Sequence, residues 1–170
     1  IYDLASLTKP IATATAIFIL IDQGKLKLSD TVTQHWPEFK GNGKEKITIE
    51  HLLLHTSGLL ADNALADYKQ GPENAFEKIA NLTLESDIGA RFTYSDVGFI
   101  VLGHLVERIS KKTLHEFTQE NLFKPLGMKD TGFNLGKDPE KKKRCAPTAK
   151  KGEILLQGEV HDPRAYELQG

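Results

Sequence analysis

Between residues 7 and 23, apolar side chains recur at helical spacing: Leu7, Ile11, Ala14, Ile17 or Phe18, and Ile21. That period predicts one helix, with Gly24 as its stop. Pro10 fits only a first turn, since deeper it removes a backbone hydrogen bond, so the helix is placed to begin close to Ser6. Residues 30–39 read as a short turn or helix followed by a loop, broken at Pro37. Thr48 is a good N-cap for a helix over 49–55, which Gly58 ends. Pro72 marks a further start, with helix over 73–81.

The loop 87–93 then delivers Tyr94. Ser95 or Asp96 caps a helix running to about Lys111, whose apolar side carries Val97, Ile100, Val101, Leu105 and Ile109. Thr113 and Glu116 form a capping-box pattern for a helix to Phe123, closed by Pro125 and Gly127. Residues 134–151 are polar and basic and read as loop, and 153–160 as a strand. The pattern is helix-rich, without a substantial sheet, a repeat or a low-complexity linker.

Composition narrows the function classes. The 170 residues carry a formal charge of -1, which argues against a nucleic-acid binder with its basic excess. The run Lys141-Lys142-Lys143-Arg144 sits beside Asp138 and Glu140 and reads as solvated surface. The longest apolar run, residues 11–21, is short of a membrane span and holds Thr13 and Thr15. His115-Glu116 lacks the second histidine of a zinc motif, and the histidines show no ligand spacing, so neither a metal nor an organic cofactor is expected. Trp36 reads as core or a loop anchor, and Cys145 has no evident base partner. The chain opens at Ile1 without methionine, five residues before its most reactive motif, and is read as part of a longer one.

That motif is Ser6-Leu7-Thr8-Lys9. Residues three apart share a helix face, so hydroxyl and amine can meet. A serine hydroxyl is a weak nucleophile and needs a base or a nearby cation, and an uncharged or hydrogen-bonded lysine can take its proton. The helix N-terminus adds N–H groups that favour developing negative charge. Alone, the motif reads more readily as a capping serine followed by a surface lysine. Tyr94-Ser95-Asp96 alone reads as a half-buried tyrosine beside an N-cap, but a tyrosine there can present its phenol to the pair as a second acid/base group, and together with residues 54–59 and 124–128 it changes the reading of the motif.

Four segments in order carry a resemblance: residues 3–10 around Ser6 and Lys9, 52–59 with His55-Thr56-Ser57-Gly58, 92–97 with Tyr94, and 123–128 with Lys124-Pro125-Leu126-Gly127. Together the chain resembles the β-lactamase-related serine hydrolases, the superfamily of class C β-lactamases, D-alanyl-D-alanine peptidases (penicillin-binding proteins) and esterases. The resemblance implies an α+β, β-lactamase/transpeptidase-like fold. Residues 1–170 would be one partial domain, truncated at both ends, mainly the helical region with most of the antiparallel sheet missing. It implies that Ser6 forms an acyl-enzyme, that Lys9 activates it, and that Tyr94 moves protons to the leaving group and from the deacylating water. The Ser6 N–H would be one oxyanion donor, and the His55–Gly58 turn would be structural. The substrate would be a small ester, β-lactam or peptidoglycan-type peptide, and the compartment stays open between export and cytoplasm.

Two departures bear on this. Asp96 stands where the family usually has asparagine; as a substrate-binding residue a carboxylate only accepts, and it would repel a substrate carboxylate. The family's Lys-Thr-Gly or His-x-Gly strand does not occur in residues 1–170. The isolated chain is therefore expected to be inactive. A non-enzymatic family member, binding or sensing peptidoglycan, is the rival reading.

Overall fold

The computed structural model describes residues 1–168. Its first helical run is not the regular helix that the apolar period predicts. A 3₁₀ turn, Ala5–Leu7, leads into a π turn, Lys9–Ala14, and only then into helix α1, Thr15–Asp22. Pro10 explains the change: it has no N–H, and its ring would meet the carbonyl four residues earlier. The chain widens across it, and Thr15 Oγ1 donates to the Pro10 carbonyl at 2.8 Å. Gly24, at φ +68, ends the run as expected.

Counted whole, Ala5–Asp22 is long and apolar enough to cross a membrane by length and composition, which residues 11–21 alone did not suggest. Here it supplies the core instead. Ala16, Ile17 and Leu20 are fully buried, and Lys9 in the same run is paired with Asp96.

The next elements are α2 (Val32–His35), a 3₁₀ turn at Pro37–Phe39, α3 (Ile49–Leu53) and α4 (Pro72–Ala80). An isolated antiparallel bridge, Thr31 to Thr48, joins the starts of α2 and α3. Helix α3 stops two residues earlier than its composition predicts, because His55 adopts φ +57. Gly58 serves differently from a stop. At φ +79 it lies so close to Ser86 O that a Cβ would collide with that oxygen, and its own carbonyl accepts from Glu85 N at 2.9 Å.

Helix α5, Asp96–Ser110, is the central element. Val97, Val101, Leu102, Leu105 and Val106 are all fully buried against residues of α1, α2 and α3. Each such side chain contributes about 1.5–3 kcal/mol relative to exposure. Ile100 and Ile109 are only partly buried, so the buried stripe lies slightly round from the expected one. Helix α6, Leu114–Thr118, starts with the capping box foreseen: Glu116 N donates to Thr113 Oγ1 at 3.1 Å and Thr113 N to Glu116 Oε2 at 2.9 Å.

The polar stretch after residue 134 is more ordered than a loop. Asp138 caps α7, Pro139–Arg144, by accepting from Glu140 N at 2.9 Å, with Pro139 at the first helical position. Strands β1, Pro147–Lys151, and β2, Ile154–Gln157, then pair antiparallel, with Lys150 opposite Leu155. A short helix α8, Pro163–Glu167, follows. Among the described residues this hairpin is the whole sheet, so the architecture is helical with a minor β element, as the partial α+β reading expects.

Candidate active site

Ser6 and Lys9 meet across the junction of the 3₁₀ and π turns. Lys9 Nζ donates to Ser6 Oγ at 3.2 Å. The residue before the serine, Ala5, sits at φ +46, in left-handed backbone that costs a side-chain-bearing residue about 1–2 kcal/mol. Asp3 holds that conformation by accepting from Ala5 N at 2.9 Å through Oδ1. Its other oxygen, Oδ2, faces His161, with Nδ1 at 2.7 Å and the backbone N–H at 3.2 Å. Burial works to raise the Asp3 carboxyl pKa, but the His161 and Ala5 hydrogen bonds prevail and hold it below the ordinary value.

Tyr94 reaches Lys9 from the loop before α5. Ser95, not Asp96, is the N-cap: its Oγ accepts from Gly98 N at 3.0 Å and donates to Leu60 O at 2.7 Å. That choice frees the Asp96 carboxylate, at the first helical position, to face Lys9. Nζ lies 2.6 Å from Asp96 Oδ1, an oxygen closed off from water, and 4.9 Å from the centre of the Tyr94 ring. Phe99, one turn into α5, adds a second ring 5.9 Å from the same nitrogen.

Partial burial of Lys9 favours its neutral form. The hydrogen bonds and charges of Asp96 and Tyr94 oppose that and win, so the lysine pKa lies above its ordinary value and the group is an ammonium at neutral pH. The uncharged lysine that the motif admits is thus not the resting form. Asp96, expected as a substrate acceptor, has Lys9 as its first partner, so its charge is balanced within the site. The sequence already marked Asp96 as unusual; a carboxylate in an asparagine position, beside a motif lysine, was the available signal for this pair.

The His55–Gly58 turn packs against the same group. Its imidazole ring lies 4.6 Å from that of Tyr94. Ser6, Lys9, Asp96 and Phe99 line a cleft of about 610 Å³, which extends along α5 to His104 and reaches His161. Among the described residues no cluster of histidine, cysteine and carboxylates could hold a metal ion. Cys145 is buried, with Sγ 3.3 Å from Lys141 O, and Trp36 packs on Phe39 at 5.1 Å as a core anchor. Arg144, from the basic run, pairs with Asp130.

Comparison with known proteins follows the same lines. The β-lactamase family model matches residues 1–167. An N-acetylmuramyl-L-alanine amidase of Bacillus subtilis is 34% identical over 99% of this chain, which spans 44% of that relative. The octameric penicillin-binding protein homologue from Pyrococcus abyssi is similar at TM-score 0.70 and 26% identity, over 89% of this chain and 37% of that one. A family VIII carboxylesterase matches at TM-score 0.62 and 25% identity, over 71% of this chain and 34% of its own. The fold is accordingly β-lactamase/transpeptidase-like, and the chain belongs to the β-lactamase family.

Proposed function

We propose that the protein containing this chain is a serine hydrolase that cleaves an ester or amide through an acyl-enzyme on Ser6. The observation that carries the reading is the 3.2 Å contact of Lys9 Nζ with Ser6 Oγ, in a chain of this family. Ser6 Oγ bonds to the substrate carbonyl carbon as its proton leaves. The carbonyl electron pair moves onto oxygen, facing the Ser6 backbone N–H. Collapse restores the carbonyl and expels an alcohol or amine, which takes up the proton. Water then attacks the acyl carbon, the bond to Ser6 Oγ breaks, the acid leaves, and a proton from that water passes to Ser6 Oγ.

With Lys9 paired to Asp96, the ammonium offsets charge developing on Ser6 Oγ. Tyr94, whose ring centre lies 4.9 Å from Lys9 Nζ, is then the group that carries the proton between Ser6 and the leaving group. The names of the relatives, an amidase, a penicillin-binding protein homologue and a carboxylesterase, support an amide or ester of a small or peptide substrate. Residues 1–170 hold neither a Lys-Thr-Gly nor a His-x-Gly segment to supply a second oxyanion donor, and little turnover is expected from them alone. A fluorophosphonate or penicillin probe on the full natural protein should label Ser6, and labelling that survives Ser6→Ala would sink the assignment.

A further inference from the structure

His55 holds the segment around the proposed proton-transfer group at three points, one of them Tyr94 itself. Its backbone carbonyl accepts from Thr93 N at 2.8 Å, and its Nδ1 accepts from Ser95 N at 3.0 Å. Both chain neighbours of Tyr94 are therefore tied to one residue. Between these two bonds the rings of His55 and Tyr94 lie 4.6 Å apart and tilted by 34°. Phe99 packs on the imidazole at 5.0 Å and Phe92 at 5.6 Å, so the ring sits among aromatic neighbours. The φ of +57 brings carbonyl and ring to the Tyr94 loop together. A residue needed only to end α3 would require the backbone conformation and not the imidazole.

We propose that His55 is a positioning residue of the hydrolase site: its neutral imidazole, protonated on Nε2, holds Tyr94 and the Asp96 carboxylate in register with Lys9. The inference rests on the serine hydrolase reading and adds a condition to it. Ser95 N–H is a donor, so Nδ1 must keep its lone pair and the ring proton must lie on Nε2. Protonating Nδ1 sets two donors against each other and loosens the segment on which Tyr94 and Asp96 stand.

The charged and titratable groups facing the ring are Lys9 from the π turn, Asp96 from α5 and Tyr94 from the preceding loop; Phe92 and Phe99 carry none. Burial, and then the Lys9 charge, favour the neutral ring, while Asp96 opposes them less strongly. The neutral form therefore persists below the ordinary imidazole range, and hydrolysis should fail on an acid limb below about pH 6.5.

The test uses the full natural protein containing residues 1–170. Nitrogen-15 NMR should find neutral His55 protonated on Nε2, with the Ser95 amide shift following the His55 titration. His55→Phe keeps a ring and removes the acceptor; kcat should fall about 100-fold with KM little changed, the scale of a small misplacement of a catalytic group. His55→Asn tolerates positive φ and keeps an acceptor oxygen. It should restore much of kcat and abolish the acid limb.

Wild-type kcat in His55→Phe, an unchanged acid limb in His55→Asn, or a neutral ring protonated on Nδ1 would each overturn the proposal. If His55→Phe does not fold, the tautomer and the His55→Asn profile decide. If Ser6 takes no probe while the tautomer is as stated, the hydrolase reading fails and the contact geometry of His55 stands.

Discussion

Lys9 Nζ lies 2.6 Å from Asp96 Oδ1, closer than to the serine it is spaced to serve. The pair fixes the charge state of the site. The lysine pKa is raised in the fold, so the pairing contribution is fully present at neutral pH and is lost only as pH rises through the folded value, above 10.5. In Asp96→Asn the opposing charge is gone and burial acts on Lys9 with less resistance. The alkaline limb of kcat/KM should then move to lower pH by about one unit or more. Stability at pH 7 should fall by about 1 kcal/mol, since both partners are partly solvated. A pH–rate profile on an ester substrate checks the first, and urea unfolding the second; an unmoved alkaline limb removes Lys9 ammonium from the mechanism.

Local signals made much of this legible. Ser95 before an apolar run and Thr113 with Glu116 both announced helix starts, because capping is chemistry between near neighbours. Ser6 and Lys9 are three residues apart and needed only helical geometry. The contacts that define the charge state of the site are not local: Lys9 meets Asp96, and Asp3 meets His161 at 158 positions' separation. Helix α7 was hidden by its lysines, which read as solvated loop, although Asp138-Pro139 carried a helix start. The π turn at Pro10 was hidden for another reason, since a period of apolar residues reports which face is buried and not how each turn is wound.

His104 gives a pH dependence of stability. It stacks on Phe76 at 3.8 Å, its Nδ1 has no hydrogen-bond partner, and burial, then Arg108, push its pKa down to about 4. The unfolded chain, at the ordinary value, binds the proton more readily. Stability is therefore complete above about pH 6.5 and is lost as pH falls from there toward 4. His104→Phe keeps the stacking ring and removes both the proton uptake and the unpaired nitrogen. Its Tm should be at least that of wild type at pH 7 and should decline less between pH 6.5 and 4 by calorimetry. A slope identical to wild type would place that loss elsewhere.

Gly58 links the core to the Tyr94 loop. Its positive φ and the close Ser86 carbonyl both exclude a side chain, and Thr56 O, two residues earlier, accepts from Gly89 N at 2.8 Å. Gly58→Ala should cost about 3 kcal/mol, combining backbone strain with overpacking. Probe labelling of Ser6 in the same variant should slow, because the displaced 85–89 segment leads into Tyr94. Urea midpoints measure the first effect, and a labelling time course the second. An alanine variant of wild-type stability would mean that the two segments are free to separate.

Ala5 and Asp3 set the position of the serine itself. The left-handed Ala5 costs about 1–2 kcal/mol that glycine would not incur, so Ala5→Gly should raise Tm, less the backbone entropy glycine adds to the unfolded chain. The same change loosens the turn that presents Ser6, so acylation should slow while stability holds or rises. Asp3→Ala removes the carboxylate that bonds Ala5 N and His161, and should lower both. The Asp3 pKa is depressed in the fold, so its contribution is present above the ordinary value near 3.8 and is lost as pH falls below it. Between pH 3.8 and 7 the wild-type advantage over Asp3→Ala should be nearly constant, and below that range it should shrink. Paired melting and labelling on the two variants separate the effects. If Ala5→Gly acylates as fast as wild type, the strained turn does not set the serine's reactivity.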